Sequence, residues 1–429
     1  ALGRLAALRA IAQQIAPSGS LGPLIHRRYR RHRAARAPRQ RRRNNPRVES
    51  TTRSRGTFVW LLLAVALVAV NLRIALSSFP AVVVLIQEQT GWSDALIGAF
   101  TTIPVLCMGL FALLVSRLTH YVGRSLAVSL ALVIMMVAML LRLAGAQLLT
   151  LALSAVLAGA SIAIIGGLVP TIVKEQLKDR VGTATSVWTA SMMAGAAVGA
   201  IATLPLATVL GSWNRALAFW ALPAVLGLIA WTIVERPKLT PRTSAATPVR
   251  FRDYPWRNPL AWSLTALTTL NSIVFYSAIA WIAPSYVERG YSPETAALFF
   301  GLFTGVHIAG ALVLPAWAMR SRYRRTVFLA CLIVSTVAIL LIAFAPRFAP
   351  GVVLAVFGFT LSGGFAIPLG MLSEYPATAS ISVGLTSMAM SVTFTIAAFG
   401  PLMAGLLMDV VDSWTLVYAL LALVVVMQM

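Results

Sequence analysis

Charged residues are scarce in this chain of 429 residues, because Asp, Glu, Lys and Arg together make up only 11% of it. A soluble domain has about 25% charged residues and is about 45–50% apolar, whereas 59% of this sequence is apolar. So few polar side chains cannot cover a surface that faces water. The composition therefore excludes a soluble enzyme and a disordered chain, and it indicates a polytopic membrane protein.

Cysteine and histidine are also rare, with two cysteines and four histidines in the whole sequence. Cys107 and Cys331 lie in apolar runs, where a thiol is usually a small packing residue. The spacing of these residues gives neither a disulfide framework nor a metal site. A membrane-embedded enzyme would need a nucleophile with its base, or paired carboxylates, within the apolar runs. The sequence offers neither, so we expect no catalytic residue, no metal and no cofactor.

Acidic residues number 12 against 35 Lys and Arg, which gives a formal net charge of +23. Residues 1–57 contain 15 of the arginines and a single acid, Glu49. We expect this segment to be a disordered cytoplasmic tail against anionic lipid headgroups, since each Arg adds about 1 kcal/mol of attraction there. A targeting segment and a mis-assigned start of the chain are the alternatives. Nucleic-acid binding has no support elsewhere in the sequence.

Twelve apolar runs, each long enough to cross a membrane as a helix, occupy the rest of the chain. A polar cytoplasmic loop at 235–258 separates six runs from six. We therefore predict an all-α membrane protein in which 58–234 and 259–429 form two six-helix bundles. The runs are expected at roughly 58–86, 95–116, 125–143, 148–173, 181–210, 214–234, 259–287, 294–318, 326–345, 350–373, 380–408 and 413–428.

The distribution of Lys and Arg predicts the orientation of these spans in the cell membrane. If the amino terminus is cytoplasmic, 30 of the 35 basic residues fall on the cytoplasmic side, as the positive-inside tendency requires. Both termini are then cytoplasmic. The loops outside the cell contain only four basic residues, which are Arg142, Arg215, Arg289 and Arg347.

An internal repeat relates the two halves of the chain at a shift of about 200 residues. Asn71 aligns with Asn271, and Gly159 aligns with Gly358. Single matches of this kind are weak, but these and several others follow one another in the same order along both halves. Transporters built from two such halves form their substrate site near the midplane, where the halves meet.

The loop after the second span ends in Gly123 and Arg124, and the corresponding loop of the second half ends in Arg324 and Arg325. These residues match the end of the signature G-x-x-x-D-x-x-G-R-[RK], and over about 58–429 the chain resembles the major facilitator superfamily. The resemblance implies that these four residues belong to a gating motif. His120 replaces the Asp of the signature, so the charge pair that it provides in the family is not expected here.

More narrowly, the chain is similar to the cyanate and nitroimidazole porter branch of that superfamily. The first, fifth and seventh spans carry this resemblance, together with proline-containing segments of the sixth and eleventh. The matching residues are Asn71-Leu72-Arg73, Trp188, Phe219 to Pro223, Phe275-Tyr276-Ser277, Ala280 to Pro284 and Ala397 to Pro401.

Arg73 is the basic residue that the predicted spans leave inside the bilayer, near the middle of the first span. A charged side chain at that depth costs about 2.5–3.5 kcal/mol, and a guanidinium cannot lose its proton. A salt bridge to another helix would compensate the charge, but the acids fall at span ends. We therefore favour a small planar anion, the substrate itself, as the partner of Arg73.

Other residues within the spans are further candidates for substrate binding. His307, in the eighth span, is interpreted as a packing residue, a hydrogen-bond donor to the substrate or a proton carrier. Asn71 and Asn271 are candidates that could instead hydrogen-bond between helices. The aromatic candidates, which could also serve only to pack the bundles, are Trp188, Phe275, Tyr276 and Phe359.

These features predict an alternating-access secondary transporter of a small anion or a small polar heteroaromatic solute. We expect it to act as a monomer surrounded by membrane lipid. A co-transported proton is a further candidate partner, because moving one negative charge inward costs about 2.3 kcal/mol per 100 mV. The alternative is a multidrug-type exporter of larger apolar compounds, which would have a bulky apolar cavity and would tolerate the loss of Arg73.

Overall fold

The computed structural model describes residues 55–112, 114–176, 180–235, 256, 258–320, 324–373 and 379–429. The predicted tail lies outside the described residues except for its last three positions, as does most of the predicted central loop. In the first half the helices are α1 (Arg55–Ser77), α2 (Val83–Thr90), α3 (Asp94–Ala112), α4 (Val115–Val122), α5 (Arg124–Leu141), α6 (Leu148–Gln176), α7 (Val181–Val209), α8 (Trp213–Phe219) and α9 (Ala221–Val234).

The second half repeats this all-helical pattern. Its helices are α10 (Pro259–Glu288), α11 (Pro293–Arg320), α12 (Arg324–Phe344), α13 (Pro350–Ser373), α14 (Ala379–Ala397), α15 (Phe399–Val411) and α16 (Trp414–Val426). Within the described residues, eleven segments are long and apolar enough to cross a membrane, and α16 is a shorter apolar helix. The predicted all-α fold of twelve spans is thereby confirmed. The helices α8 and α9 together form the sixth span, and α14 and α15 form the eleventh.

The first span is shorter than the sequence predicts. The helix α1 ends at Ser77, and the chain then turns through a short 3-10 segment, Pro80–Val82, before α2 begins. Proline has no backbone N–H and disfavours a helical residue before it, so Pro80 prevents the apolar run from continuing as one helix to residue 86. As a consequence, Arg73 lies one turn from the end of α1 and not near the middle of a long span.

Glycine contacts between helices show that the repeat is structural as well as sequential. Gly159 on α6 packs against the backbone of Pro104 on α3, and Gly358 on α13 packs against the backbone of Phe303 on α11. A Cβ atom at either glycine would lie closer than 3.0 Å to the facing carbonyl oxygen. The close contact between the fourth and second spans is therefore equivalent to the close contact between the tenth and eighth spans.

The two halves are joined along α3 and the eleventh span. The Thr102 hydroxyl donates a hydrogen bond of 2.6 Å to the carbonyl of Ala398. The Ser391 hydroxyl donates one of 2.8 Å to the carbonyl of Gly109. Hydroxyl-to-carbonyl bonds of this kind satisfy polar groups that would otherwise lie unpaired in an apolar interior, so they fix how α3 and the eleventh span pack.

Asp409, near the end of α15, completes this junction. Its carboxylate accepts hydrogen bonds from the backbone N–H groups of Asp94 and Ala95, each 2.9 Å long. These N–H groups belong to the first turn of α3, where the helix dipole favours a negative charge. We call this end of the molecule the Asp409 end, and the orientation predicted from the sequence places it outside the cell.

Asp409→Asn is expected to loosen the junction, because the amide retains an acceptor oxygen but loses the charge that the helix dipole stabilises. The loss should be about 1 kcal/mol, which corresponds to about a fivefold change in the equilibrium between joined and separated halves. A cysteine placed at Thr101, in a chain with Cys107 and Cys331 replaced by alanine, should then react about fivefold faster with a membrane-impermeant maleimide.

Asp412 provides the matched control for this experiment. It is exposed and lies near Asp409, and its carboxylate takes part in no hydrogen bond with the described residues. Asp412→Asn should leave the labelling rate at residue 101 unchanged. If both substitutions accelerate labelling equally, surface charge and not the contact with α3 controls the junction.

Candidate functional site

Arg73 projects from α1 toward the seventh span, where it meets an aromatic ring. Its guanidinium carbon lies 5.4 Å from the centre of the Phe275 ring. The side chain is half-buried, and its Nη1 atom is buried with no hydrogen-bond partner. Within the described part of the chain, no carboxylate forms an ion pair with Arg73. A contact with an aromatic face supplies about 0.5–2 kcal/mol, which leaves the charge largely uncompensated.

His307 contacts the same aromatic residue. Its ring centre is 4.8 Å from that of Phe275, with 35° between the two planes. The imidazole is buried, and it hydrogen-bonds the backbone of Gly358. Its Nδ1 atom is buried without a partner. Since a neutral imidazole that donates through Nε2 keeps Nδ1 as an acceptor, one hydrogen-bonding position of His307 remains open.

Three predicted residues from the first, seventh and eighth spans therefore come together, and we call Arg73, Phe275 and His307 the Arg73 site. Two of them present a buried nitrogen atom that has no partner. Buried polar groups are nearly always hydrogen-bonded, and an unpaired one costs about 1–3 kcal/mol or more when charged. A solute with matching groups could pair with both of these nitrogen atoms.

Tyr276 follows Phe275 on α10 and forms the adjacent wall. Its ring packs edge-on against Phe275, with centres 5.3 Å apart, and edge-on against Phe394 of the eleventh span at 6.3 Å. The residue is 3% exposed. Tyr276 also lines a small cavity beside the Arg73 site, so its position fits the predicted binding role.

Each of the two predicted asparagines binds a backbone carbonyl of a neighbouring helix, and Asn71 also binds one of its own helix. The Asn71 amide donates to Leu67 at 2.7 Å and to Pro223 of the sixth span at 3.0 Å. The Asn271 amide donates to Leu361 of the tenth span at 3.2 Å. Both side chains are buried, and these contacts correspond to the interhelical alternative that the sequence left open.

The remaining predicted residues occupy other positions. Trp188 is buried in the apolar core of the first half. Phe359 is half-buried on α13, and its carbonyl accepts a hydrogen bond of 2.6 Å from the Ser362 hydroxyl. The structure thus gives Trp188 a packing position and gives Phe359 a backbone contact, while Arg73, Phe275 and His307 are the candidates that it brings together.

The residues that match the family signature lie at equivalent helix starts in the two halves. Gly123 precedes α5 with a backbone φ of 83°, a left-handed conformation that favours glycine, and Arg124 is the first residue of α5. Arg324 and Arg325 begin α12 in the second half. The side chain of His120, at the position of the signature's Asp, lies outside the described residues.

Arg142 is a residue that the sequence placed in the wrong environment. The prediction assigned it to an outside loop, whereas the structure buries it at 4% exposure. Its guanidinium donates to the hydroxyls of Ser154 and Ser78, at 3.1 and 3.3 Å, and to the carbonyl of Ala75 at 3.2 Å. Its position inside the third predicted span, 125–143, was the signal that could have identified it.

Comparison with known proteins agrees with this architecture. The sequence model of the Major Facilitator Superfamily matches residues 59–398. The cyanate transport protein CynX of Escherichia coli (strain K12) is 30% identical over 367 residues, which cover 85% of this chain and 94% of that protein. The 2-nitroimidazole transporter of the same organism is 25% identical over 366 residues, which cover 85% and 92%.

Solved structures of similar fold are more distant in sequence. A bacterial homologue of the human lysosomal transporter Spinster, inward-facing and occupied, has a TM-score of 0.68 at 16% identity, over 82% of each chain. The nucleoside transporter NupG has a TM-score of 0.68 at 13% identity, over 86% of this chain and 98% of that one. At these identities the likeness supports the fold alone.

Proposed function

Because this chain belongs to the major facilitator superfamily, it is a membrane transporter, and we propose that its substrate is a small linear or planar anion held by Arg73. Compact heteroaromatic solutes with a nitro group fall within the proposal, since two nitro oxygens meet the planar N–H fork of a guanidinium as a carboxylate does. The proposal rests on one observation, which is that the Nη1 atom of Arg73 is buried and has no hydrogen-bond partner among the described residues.

The surroundings of Arg73 favour a narrow or flat solute. The Phe275 ring contacts both Arg73 and His307, and the Tyr276 ring packs edge-on against it. Aromatic faces pack well against flat or linear groups. The relatives whose names give a substrate move cyanate, a linear anion of three atoms, and 2-nitroimidazole, a flat ring, and both shapes suit this position.

The other predicted residues take supporting roles in the proposal. Asn71 fixes the first span, which carries Arg73, against the sixth span, and Asn271 fixes the seventh span, which carries Phe275, against the tenth. His307 either accepts a hydrogen bond from the substrate or carries the proton that compensates an entering anion, because its Nδ1 atom is unpaired. The transporter would work by alternating access in the cell membrane, with both termini cytoplasmic.

A thermal-shift screen of the purified full-length protein tests the substrate class. The ligands are potassium cyanate, potassium thiocyanate, potassium formate, 2-nitroimidazole and tetraphenylphosphonium, with potassium gluconate as the control for ionic strength. At about 100 times its Kd a ligand stabilises a protein by about 2.7 kcal/mol, so at least one small anion or the nitroimidazole should raise the Tm by several degrees. Stabilisation by tetraphenylphosphonium alone would contradict the proposal and favour the exporter of larger apolar compounds.

A further inference from the structure

Arg142 carries a buried positive charge with neutral partners. It lies where the third span ends, and its three described hydrogen bonds go to two serine hydroxyls and the carbonyl of Ala75. No acid among the described residues forms an ion pair with it. Since a guanidinium has five N–H groups, these bonds use three of them. The carbonyl near the end of α1 offsets part of the charge through the helix dipole, and the remainder is uncompensated.

A cavity of about 30 Å³ adjoins this charge. Its polar lining consists of Arg142, Thr101, Ser154 and Tyr276, and the aromatic rings of Phe79 and Phe100 form part of the remaining wall. About 10–15 Å³ is needed to hold one water molecule, so the cavity has room for two or three non-hydrogen atoms. Its size and polarity match a halide ion or a triatomic anion.

The cavity lies next to the Arg73 site. Ala75 and Leu76, which line it, lie two and three residues after Arg73 on α1, and Tyr276 comes directly after Phe275 on α10. Phe100, Thr101, Pro104 and Val105 of α3 form another part of its wall. The first turn of this helix binds Asp409. The cavity is thus placed between the Arg73 site and the Asp409 end of the molecule.

We propose that Arg142, Thr101 and Tyr276 form a second anion site, specific for monovalent anions of at most three non-hydrogen atoms, through which the substrate passes between the Asp409 end and Arg73. The inference rests on the proposed function for the identity of the ion in transit. Two positive sites in series lower the energy of an anion along the route, so that it can leave one site as it enters the next.

Bromide is the probe that tests the second site, because its anomalous scattering locates it directly. Crystals of the full-length protein grown in sodium bromide should show one peak in the cavity beside Arg142 and another beside Arg73, and excess cyanate should displace both. A peak beside Arg73 alone would overturn the second site and leave the proposed function standing. A peak beside Arg142 alone would support the second site and contradict Arg73 as the anchor. If neither position contains bromide, both are wrong.

Ala155→Val provides a variant that retains all three hydrogen bonds of Arg142. Ala155 is buried on α6 and lines the cavity, so the added methyl groups should fill it. The bromide peak beside Arg142 should disappear while the peak beside Arg73 persists. Ala160→Val, on the same helix but away from the cavity lining, is the control and should retain both peaks. Persistence of the peak beside Arg142 in the Ala155→Val protein would contradict the proposed position.

Discussion

Arg73→Gln should reduce cyanate transport in proteoliposomes by roughly 30-fold or more, because it removes the charged partner of a desolvated anion. Truncating one member of a buried charge pair costs about 2–5 kcal/mol, and each 1.4 kcal/mol is a factor of ten. Arg73→Lys should fall between the parent protein and Arg73→Gln, since it retains the charge but loses the planar fork of donors. The measurement is the initial rate of uptake of labelled cyanate.

Two further measurements separate loss of the anchor from loss of the fold. The Tm of ligand-free Arg73→Gln should equal or exceed that of the parent, because removing an uncompensated buried charge relieves a desolvation cost. The control Arg347→Gln changes an exposed arginine and should transport normally. If Arg73→Gln transports cyanate at the parental rate, the proposed anchor is wrong. Export of lipophilic cations by this variant and by the parent would favour the multidrug alternative.

Gly159→Val and Gly358→Val should each destabilise the protein by about 1–3 kcal/mol, which lowers the Tm of a chain of this length by about 1–3 °C. In both cases the new side chain would meet a backbone carbonyl of a neighbouring helix, that of Pro104 or that of Phe303, and a backbone cannot move aside as a flexible side chain can. Thermal unfolding of the detergent-purified variants measures the effect.

The size of the two shifts tests the internal repeat. Because each glycine makes the equivalent contact in its own half, the two shifts should be of similar size. Gly370→Ala is the control, since a Cβ atom there would meet nothing within 4 Å and alanine favours a helix by about 1 kcal/mol over glycine. It should leave the Tm unchanged or raise it. A large shift for only one of the two valine variants would show that the halves pack differently at these positions.

Several parts of the architecture could be predicted because they depend on local composition. The predicted spans agree closely with the observed helices, and the exception is the first span, where Pro80 ends the helix inside an apolar run. The repeat pair Gly159 and Gly358 was visible as an alignment before its packing role was known. Arg73 could be predicted as a site residue because a permanent charge within an apolar run is unusual, whatever residues surround it in the folded protein.

The composition of the site could be predicted only in part, because contacts depend on how each helix is rotated. Phe275 and Tyr276 are adjacent in sequence, yet Phe275 lies against Arg73 while Tyr276 faces the neighbouring cavity. Asn71 and Arg73 are two residues apart, yet the asparagine binds a carbonyl of the sixth span. No pattern along a single span distinguishes these orientations.

Hydropathy and repeat spacing along the amino-acid sequence predict a membrane protein of twelve spans with two related halves, and they single out the fixed charge of Arg73 within an apolar run. Hydropathy, helix length and repeat spacing depend only on the order of residues along the chain, so they can be predicted without knowledge of tertiary contacts. Only the tertiary structure decided that Arg73, Phe275 and His307 meet, and that Arg142 is buried beside a cavity of its own. Those facts depend on contacts between residues far apart in sequence, which are set by helix packing and not by any one segment.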